Sequence, residues 1–252
     1  MNLELAGKAV LISGGSSGIG LAIAKLFAQE GSFVAVAARG MVKLESARKE
    51  VGEACAVYAL DVTDPAACFK LVADIRAARG KLDILVTCAG SGASVPPGQE
   101  TMEEWQRVIN LNLLSATNMI AAATPLLEQS APASIVCISS ICGREALGAP
   151  VTYSAAKSAL DMAVKGLSRP LAKRGIRINA VSPGNIYFPE GTWDKKLGQD
   201  PEAVNRMLMT EVPLQRFGKP EWVADAVAFL ASSRAGFITG TNLVVDGGQS
   251  RS

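Results

Sequence analysis

A chain of 252 residues, nearly half of them apolar and 19% charged, has an ordinary globular composition and enough length to bury a full core. Its net charge is +2 with acids and bases interspersed, and no basic block or aromatic-basic ribbon marks a nucleic-acid surface. There is no histidine, which removes Ser-His-Asp and Cys-His nucleophile schemes and every histidine-based metal site. The cysteines (Cys55, Cys68, Cys88, Cys137 and Cys142) are odd in number and form no CxxC pair, so free thiols, no metal site and a reducing compartment are expected.

Apolar runs alternate with helical patterns from end to end. Met1–Lys8 carries no secretory pattern and leads into a first strand, Ala9–Ser13. A helix over Gly18–Gln29 follows, then a strand Phe33–Ala38, a helix Met41–Val51 and a strand Ala54–Ala59. Pro65–Arg79 reads as a helix with Thr63 or Asp64 as its cap and Pro65 at the first position. After the strand Ile84–Thr87, Thr101–Leu127 reads as one long helix opened by the capping pattern Thr-Met-Glu-Glu. Then come the strand Ser134–Ile138, a helix Val151–Lys173, the strand Ile176–Val181, a helix Pro220–Ala231 and a last strand, Leu243–Val245. Pro170 conflicts with its helix and predicts a bend or an early end near Ser168–Pro170. Gly184–Gly218 reads as a long irregular stretch, the usual form of a substrate lid or binding loop.

Strands apolar on both faces and separated by helices predict an α/β fold. It should be one doubly wound parallel sheet in a single domain over residues 1–252, with helices on both faces and a lid at about 184–218. No run approaches the ~20 apolar residues of a membrane span, and a cytoplasmic protein is expected.

The chemistry concentrates in a few places. The first strand runs into Gly14-Gly15-Ser16-Ser17-Gly18-Ile19-Gly20 and then a helix, the strand-turn-helix setting in which backbone N–H groups and a helix N-terminus receive a pyrophosphate. The second strand ends Ala37-Ala38-Arg39-Gly40 with no acid to grip a ribose hydroxyl, so Arg39 points to the 2′-phosphate of NADP, with NAD as the alternative. Lys43 reads chiefly as solvated helix surface. Asp61 has two readings, a carboxylate for an adenine amino group or a turn cap. Ser139 and Ser140 close the fifth strand at the edge where such sheets place ligands. Asn112 sits mid-helix, where asparagine is a misfit. Tyr153 and Lys157 lie one helical turn apart, and an ammonium beside a phenol favours the phenolate. Bringing a tyrosine from pH ~10 to neutrality takes about three units, or ~4 kcal/mol.

Taken together, the chain resembles the short-chain dehydrogenase/reductase family in its compact single-domain branch. The resemblance spans nearly the whole length. It rests on Ser13–Gly20, Leu60-Asp61-Val62, Cys88-Ala89-Gly90, Asn112, Ser140, Tyr153-x-x-x-Lys157, Arg177–Gly184 and Thr239–Gly248. It implies a catalytic set in which Tyr153 is the general acid/base, Lys157 lowers its pKa and binds the nicotinamide ribose, Ser140 orients the substrate oxygen and Asn112 holds a water linking Lys157 to solvent. It implies dinucleotide contacts from Gly14, Ser16, Ser17, Gly18, Ile19, Gly20, Arg39, Asp61, Val62, Ala89, Gly90, Tyr153, Lys157, Pro183, Gly184 and Ile186. It also implies a homotetramer packed through the long helices and the C-terminal segment.

Three positions depart from the family pattern. Thr87-Cys88 replaces a pair of asparagines, Ser13 replaces a threonine, and Phe188 stands where a threonine often bonds the nicotinamide carboxamide, with Asn185 or Thr192 as substitutes.

The expected activity is an NADP(H)-dependent interconversion of a ketone and a secondary alcohol. The pocket is expected from Ser91–Val95, Ile141–Val151 and the lid, with Leu147, Tyr187, Phe188 and Trp193 as apolar walls and Glu145 as a polar candidate. An NAD-dependent enzyme working oxidatively and a weakly active dinucleotide-sensing or scaffold protein are the alternatives. A 3-oxoacyl thioester and a cyclic or aryl ketone both fit as substrates.

Overall fold

Seven parallel strands form one sheet in the order β3-β2-β1-β4-β5-β6-β7. They are β1 (Ala9–Ser13), β2 (Phe33–Ala38), β3 (Cys55–Ala59), β4 (Ile84–Thr87), β5 (Ala133–Ile138), β6 (Ile176–Pro183) and β7 (Asn242–Val245). The computed structural model describes residues 2–251. Every residue of β1, β4 and β5 is buried, because helices cover both faces, whereas the edge strands β3 and β7 are only partly covered.

Helices α1 (Gly18–Gln29) and α9 (Pro220–Ala231) pack Ile23, Phe27, Val223 and Val227 on one face. Helices α3 (Pro65–Arg79), α5 (Ser115–Gln129) and α6 (Val151–Ala172) pack Leu71, Met119, Leu126 and Leu160 on the other. Helix α2 (Met41–Val51) lies beside β3. Strand order reverses between β1 and β4, the switch point where such sheets open a crevice at their carboxyl edge. No helix among the described residues is long and apolar enough to cross a membrane.

Three local expectations change. The long helix from Thr101 is two helices, α4 (Met102–Ile109) and α5, joined by one wide π-type turn over Asn110–Leu114. Thr101 does cap it, accepting from Glu104 N–H at 3.2 Å. The wide turn absorbs one extra residue, and Asn112, the mid-helix misfit, sits inside it. Pro170 does not end α6, which runs on to Ala172. The carbonyl it deprives of a partner belongs to exposed Gly166, where water can serve it. The stretch read as irregular carries two helices, α7 (Thr192–Gln199) and α8 (Pro201–Glu211), with their own small core of Val204, Leu208 and Val212 against Trp193 and Phe217.

Candidate active site

A cleft of about 550 Å³ opens at the carboxyl edge, lined by Gly14, Gly90, Ser140, Tyr153, Lys157 and Trp193 among others. It continues through Gly14, Ser17, Cys88, Gly90 and Ser91 into a second cavity of about 340 Å³ that holds Ser16, Arg39, Lys43, Asp61, Val62 and Ala89. Ile19, Gly20, Pro183, Gly184 and Ile186 line the larger part. Sixteen scattered sequence positions thus line one continuous groove, and of the expected set only Asn112 and Gly18 lie off its walls.

The glycine turn is built by close approach. Gly14 has φ +74°, donates to Ala37 O at 2.7 Å, and a Cβ there would lie 2.6 Å from the Ala89 nitrogen. Ser17 is the N-cap of α1, yet its hydroxyl caps nothing and the first turn has no acid. The leading N–H groups of α1 are therefore left for an anion. Gly90 plays the second close-contact role, since a Cβ there would meet Asn112 Oδ1 at 2.8 Å and Lys157 Nζ at 3.4 Å.

Asn112 is 1% exposed. Its Oδ1 accepts from Ser91 N–H at 2.9 Å, and its Nδ2 donates to Ser91 O at 3.0 Å and Val108 O at 3.1 Å. The side chain therefore fixes the Gly90–Ser91 backbone beside Lys157. The next loop is fixed by residues that sequence reasoning missed. Ser94 donates to Glu104 Oε1 at 2.8 Å and shares a hydroxyl contact of 2.7 Å with Thr152 on α6, while Arg107 clamps Glu104 and Ala93 O. The Glu104 carboxyl is pulled down to about 2 by the Arg107 and Ser94 bonds. The signal available for this cluster was the Glu104/Arg107 spacing of one helical turn.

Ser140 begins a short 3₁₀ turn and accepts from Cys142 N–H at 3.1 Å, which aims its hydroxyl at Tyr153. Burial pushes the Tyr153 phenol up to about 12, opposed by the Ser140 hydroxyl. Lys157 is buried, its Nζ donates to Ile138 O at 2.8 Å, and it lies 5.9 Å from the Tyr153 ring centroid. Burial lowers the lysine's own pKa. The two side chains converge on the cleft, and in this geometry burial is the largest influence on the phenol.

Asp61 takes the turn-cap role, the second of its two readings. Its Oδ1 accepts from Thr63 N–H and Oγ1 at 2.9 and 2.8 Å, and its carboxylate lines the smaller cavity with Arg39. The Thr63 backbone bond is the main reason its pKa lies low. Of the expected apolar walls, Phe188 and Trp193 face the cleft, while Leu147 and Tyr187 do not. Tyr187 is tied to Asp194 by its hydroxyl at 2.9 Å. Asn185 faces away toward Met207, and Thr192 reaches the cleft. Asp246 and the glycines after it form a loop whose carboxylate accepts from Gly248 and Ser250 N–H, against which Gly184 packs. Arg177 and Asn179 hold the C-terminal segment rather than the cleft.

A long groove over a glycine turn and beside a Ser/Tyr/Lys cluster, at the switch point of a doubly wound sheet, fits the nucleotide-dependent oxidoreductase class. A family model described as Enoyl-(Acyl carrier protein) reductase matches residues 14–250. Oxidoreductase asL5 of Sarocladium schorii is 36% identical over 245 residues, 97% of this chain and 96% of the relative. The 3-oxoacyl-[acyl-carrier-protein] reductase FabG of Thermotoga maritima is 36% identical over 249 residues, 98% and 99% of the two chains. A crystal structure of L-sorbose reductase from Gluconobacter frateurii, complexed with NADPH and L-sorbose, matches with TM-score 0.94 at 31% identity, covering 100% of both chains. The chain belongs to the short-chain dehydrogenase/reductase family and is an NAD(P)-dependent oxidoreductase.

Proposed function

We propose that this protein is an NADP(H)-dependent enzyme that interconverts a ketone and a secondary alcohol. The observation that carries the reading is the convergence of Ser140, Tyr153 and Lys157 on a cleft continuous with the glycine turn and Arg39. The uncapped N-terminus of α1 and the side-chain-free approaches at Gly14 and Gly90 fit a nicotinamide dinucleotide. When bound, that group supplies the hydride donor or acceptor.

The chain's own residues do the rest. Gly14–Gly20 receive the pyrophosphate, and Asp61, Val62 and Ala89 border the adenine end. Arg39, with Lys43 on the same cavity, meets the 2′-phosphate. Pro183, Gly184 and Ile186 wall the nicotinamide end, and Lys157 holds its ribose. Ser140 donates to the substrate oxygen, and Tyr153 gives or takes the proton there. Asn112 keeps the Gly90–Ser91 backbone in place between cofactor and Lys157.

Residues 184–218, with Phe188, Thr192 and Trp193 on the cleft, act as the substrate lid. The relatives named for L-sorbose and for a 3-oxoacyl substrate support a reading of ketone reduction. The NADPH in the first of them agrees with the absence of an acid after β2. A homotetramer is part of the same reading, supported by exposed Leu114, Val151 and Met162 on the long helices, and five free cysteines suit the cytoplasm.

The test is a panel of sugar, cyclic and aryl ketones and a 3-oxoacyl thioester, assayed with NADPH and NADH by nicotinamide absorbance. Turnover with a preference for NADPH is expected. A preference for NADH sinks the cofactor assignment, and no turnover of any ketone sinks the enzyme assignment. Light scattering of the eluting protein reads the tetramer.

A further inference from the structure

One buried carboxylate is not used by this mechanism. Asp161 lies on α6 one turn beyond Lys157 and two beyond Tyr153, on the same face. Both of its oxygens are buried, and the polar side chains nearest them, Ser139 and Asn242, act on the carboxylate without reaching good hydrogen-bond geometry. Asn242, on the facing strand β7, is in the same condition at both Oδ1 and Nδ2. The two meet at the end of a row that crosses the sheet in register, Ser13–Thr87–Cys137–Ala180–Asn242. Ser13 Oγ and Thr87 Oγ1 in that row are also buried without partners. Unpartnered buried polar groups are uncommon and call for a reason.

Every charged or titratable neighbour of Asp161 points to the same one. Lys157 faces it from the same helix, Ser139 and Cys137 from β5 and its end, Arg144 from the following loop and Asn242 from β7. Burial raises the Asp161 pKa, and Ser139, Lys157, Arg144 and Asn242 act against that rise. Burial lowers the pKa of Lys157, and Asp161 acts against that fall. The other groups acting on Lys157 are Cys88 and Cys137, both thiols pushed up to about 11 by burial, hence neutral near pH 7. Among the described residues, Asp161 is therefore the one carboxyl group that acts on the lysine.

Resting on the oxidoreductase reading above, we propose that Asp161 is a positioning residue whose carboxylate, buried behind Lys157, keeps that lysine charged and directed toward Tyr153 during turnover. It does not touch the reacting atoms. Its anion compensates, through the lysine, for a pocket that otherwise favours an uncharged amine.

Two measurements test this on the full chain. For ketone reduction Tyr153 must hold its proton and Lys157 its charge, so kcat/KM falls on an alkaline limb. Removing the Asp161 anion lowers the pKa of both groups, so in Asp161→Asn that limb should move to lower pH by about one unit. The loss then approaches about tenfold above the wild-type limb and vanishes well below it. Asp161→Glu should restore more than half of the shift.

The second readout needs no turnover. A carboxyl whose folded pKa is raised loses native-state stability as pH rises from its unfolded value, about 3.9, through its folded one. Asp161→Asn should thus melt higher than wild type at about pH 8 by a few degrees, with the gap closing by about pH 4. A wild-type enzyme that turns over while the Asn variant's alkaline limb coincides with it overturns the role of Asp161 alone. A wild type that reduces no ketone overturns this role together with the reading it rests on, and shows itself before any variant is assayed. An Asn variant that melts lower than wild type at pH ~8 also overturns it, because the anion would then be a stabilising structural group.

Discussion

The two ends of the sheet bury charge in opposite ways. At the amino end a groove of about 760 Å³, larger than the catalytic cleft, is lined by Lys8, Asp83 and Arg177. All three are paired within the fold. Asp83 accepts from Ala9 N–H at 2.8 Å and from Lys8 at 3.2 Å, and pairs with Lys81 at 3.1 Å. Arg177 donates to the carbonyls of Leu230, Ala231, Ser232 and Ile238, which finish α9 and the turn after it. At the carboxyl end, Lys157 has one carbonyl, and among the described residues the side chains of Asp161, Asn242, Ser13 and Thr87 face one another or their neighbours without a well-formed hydrogen bond. Polar groups with their bonding finished hold strands together, whereas groups left unfinished at a cleft are available to a ligand or to one another.

That contrast can be broken most directly at Tyr153. Tyr153→Phe removes one oxygen and should lower kcat for ketone reduction by about a thousandfold, the scale of a lost general acid, while changing the melting temperature little. Loss of activity matched by loss of fold would make the carboxyl end a structural cluster like the other.

The reverse substitution is Arg177→Met. It leaves four carbonyls at the end of α9 without their donor and should cost about 3 kcal/mol in urea unfolding, with turnover per folded molecule retained. Asp83 gives the pH signature. Burial works against its anion, but the Ala9 N–H, Lys81 and Lys8 outweigh it, and its pKa is lowered. Its contribution is therefore present above the unfolded carboxyl value and lost as pH falls through the folded one. Asp83→Asn should destabilise by about 2 kcal/mol at neutral pH, with the difference shrinking in acid. This is the opposite sign to Asp161→Asn, and equal signs would remove the distinction between the two ends.

Much of this arrangement was legible in the residues because backbone geometry dictated it. The alternation of doubly apolar strands with helices implied the parallel sheet, and the glycine turn could only lie at the switch between β1 and β4. Tyr153, Lys157 and Ser140 were found because helix period and strand end place them independently of packing. What escaped was set by tertiary contact. The π-turn that accommodates Asn112 has no local signature beyond the misfit itself. Helices α7 and α8 were hidden by the glycines, prolines and aromatics that pack them on one another. Asp161 drew no reading from the sequence. Only the register of β7 with β6 puts Asn242 and the buried row beside it.

Within the carboxyl end, the adenosine side can be separated from the catalytic side through Arg39. If the guanidinium meets a 2′-phosphate, Arg39→Ala removes a charge-assisted contact of about 2 kcal/mol and should lower kcat/KM for NADPH about thirtyfold. The value for NADH should stay within about twofold, since NADH lacks that phosphate. An equal fall for both cofactors would show Arg39 to be holding the loop after β2 instead.

The smallest expected effect lies where the lid meets the glycine turn. The Phe188 ring packs on Gly18 so closely that a Cβ at Gly18 would lie 2.7 Å from a ring carbon. The same ring packs on Gly191 and joins the apolar cluster around α1 and α9. It thus links lid position to the N-terminus of α1, where the pyrophosphate is received. Across the groove mouth Lys43 and Glu190 make a 2.6 Å ion pair between exposed side chains, which solvent screens, so the ring is the firmer tether. Phe188→Thr should open that edge and add a hydroxyl near the nicotinamide end, tightening dinucleotide binding about threefold by fluorescence titration. It should also lower unfolding stability by about 1 kcal/mol for the lost apolar contact. If binding instead weakens in step with stability, the ring is a support for the groove, and the lid side shares the finished bonding of the amino end.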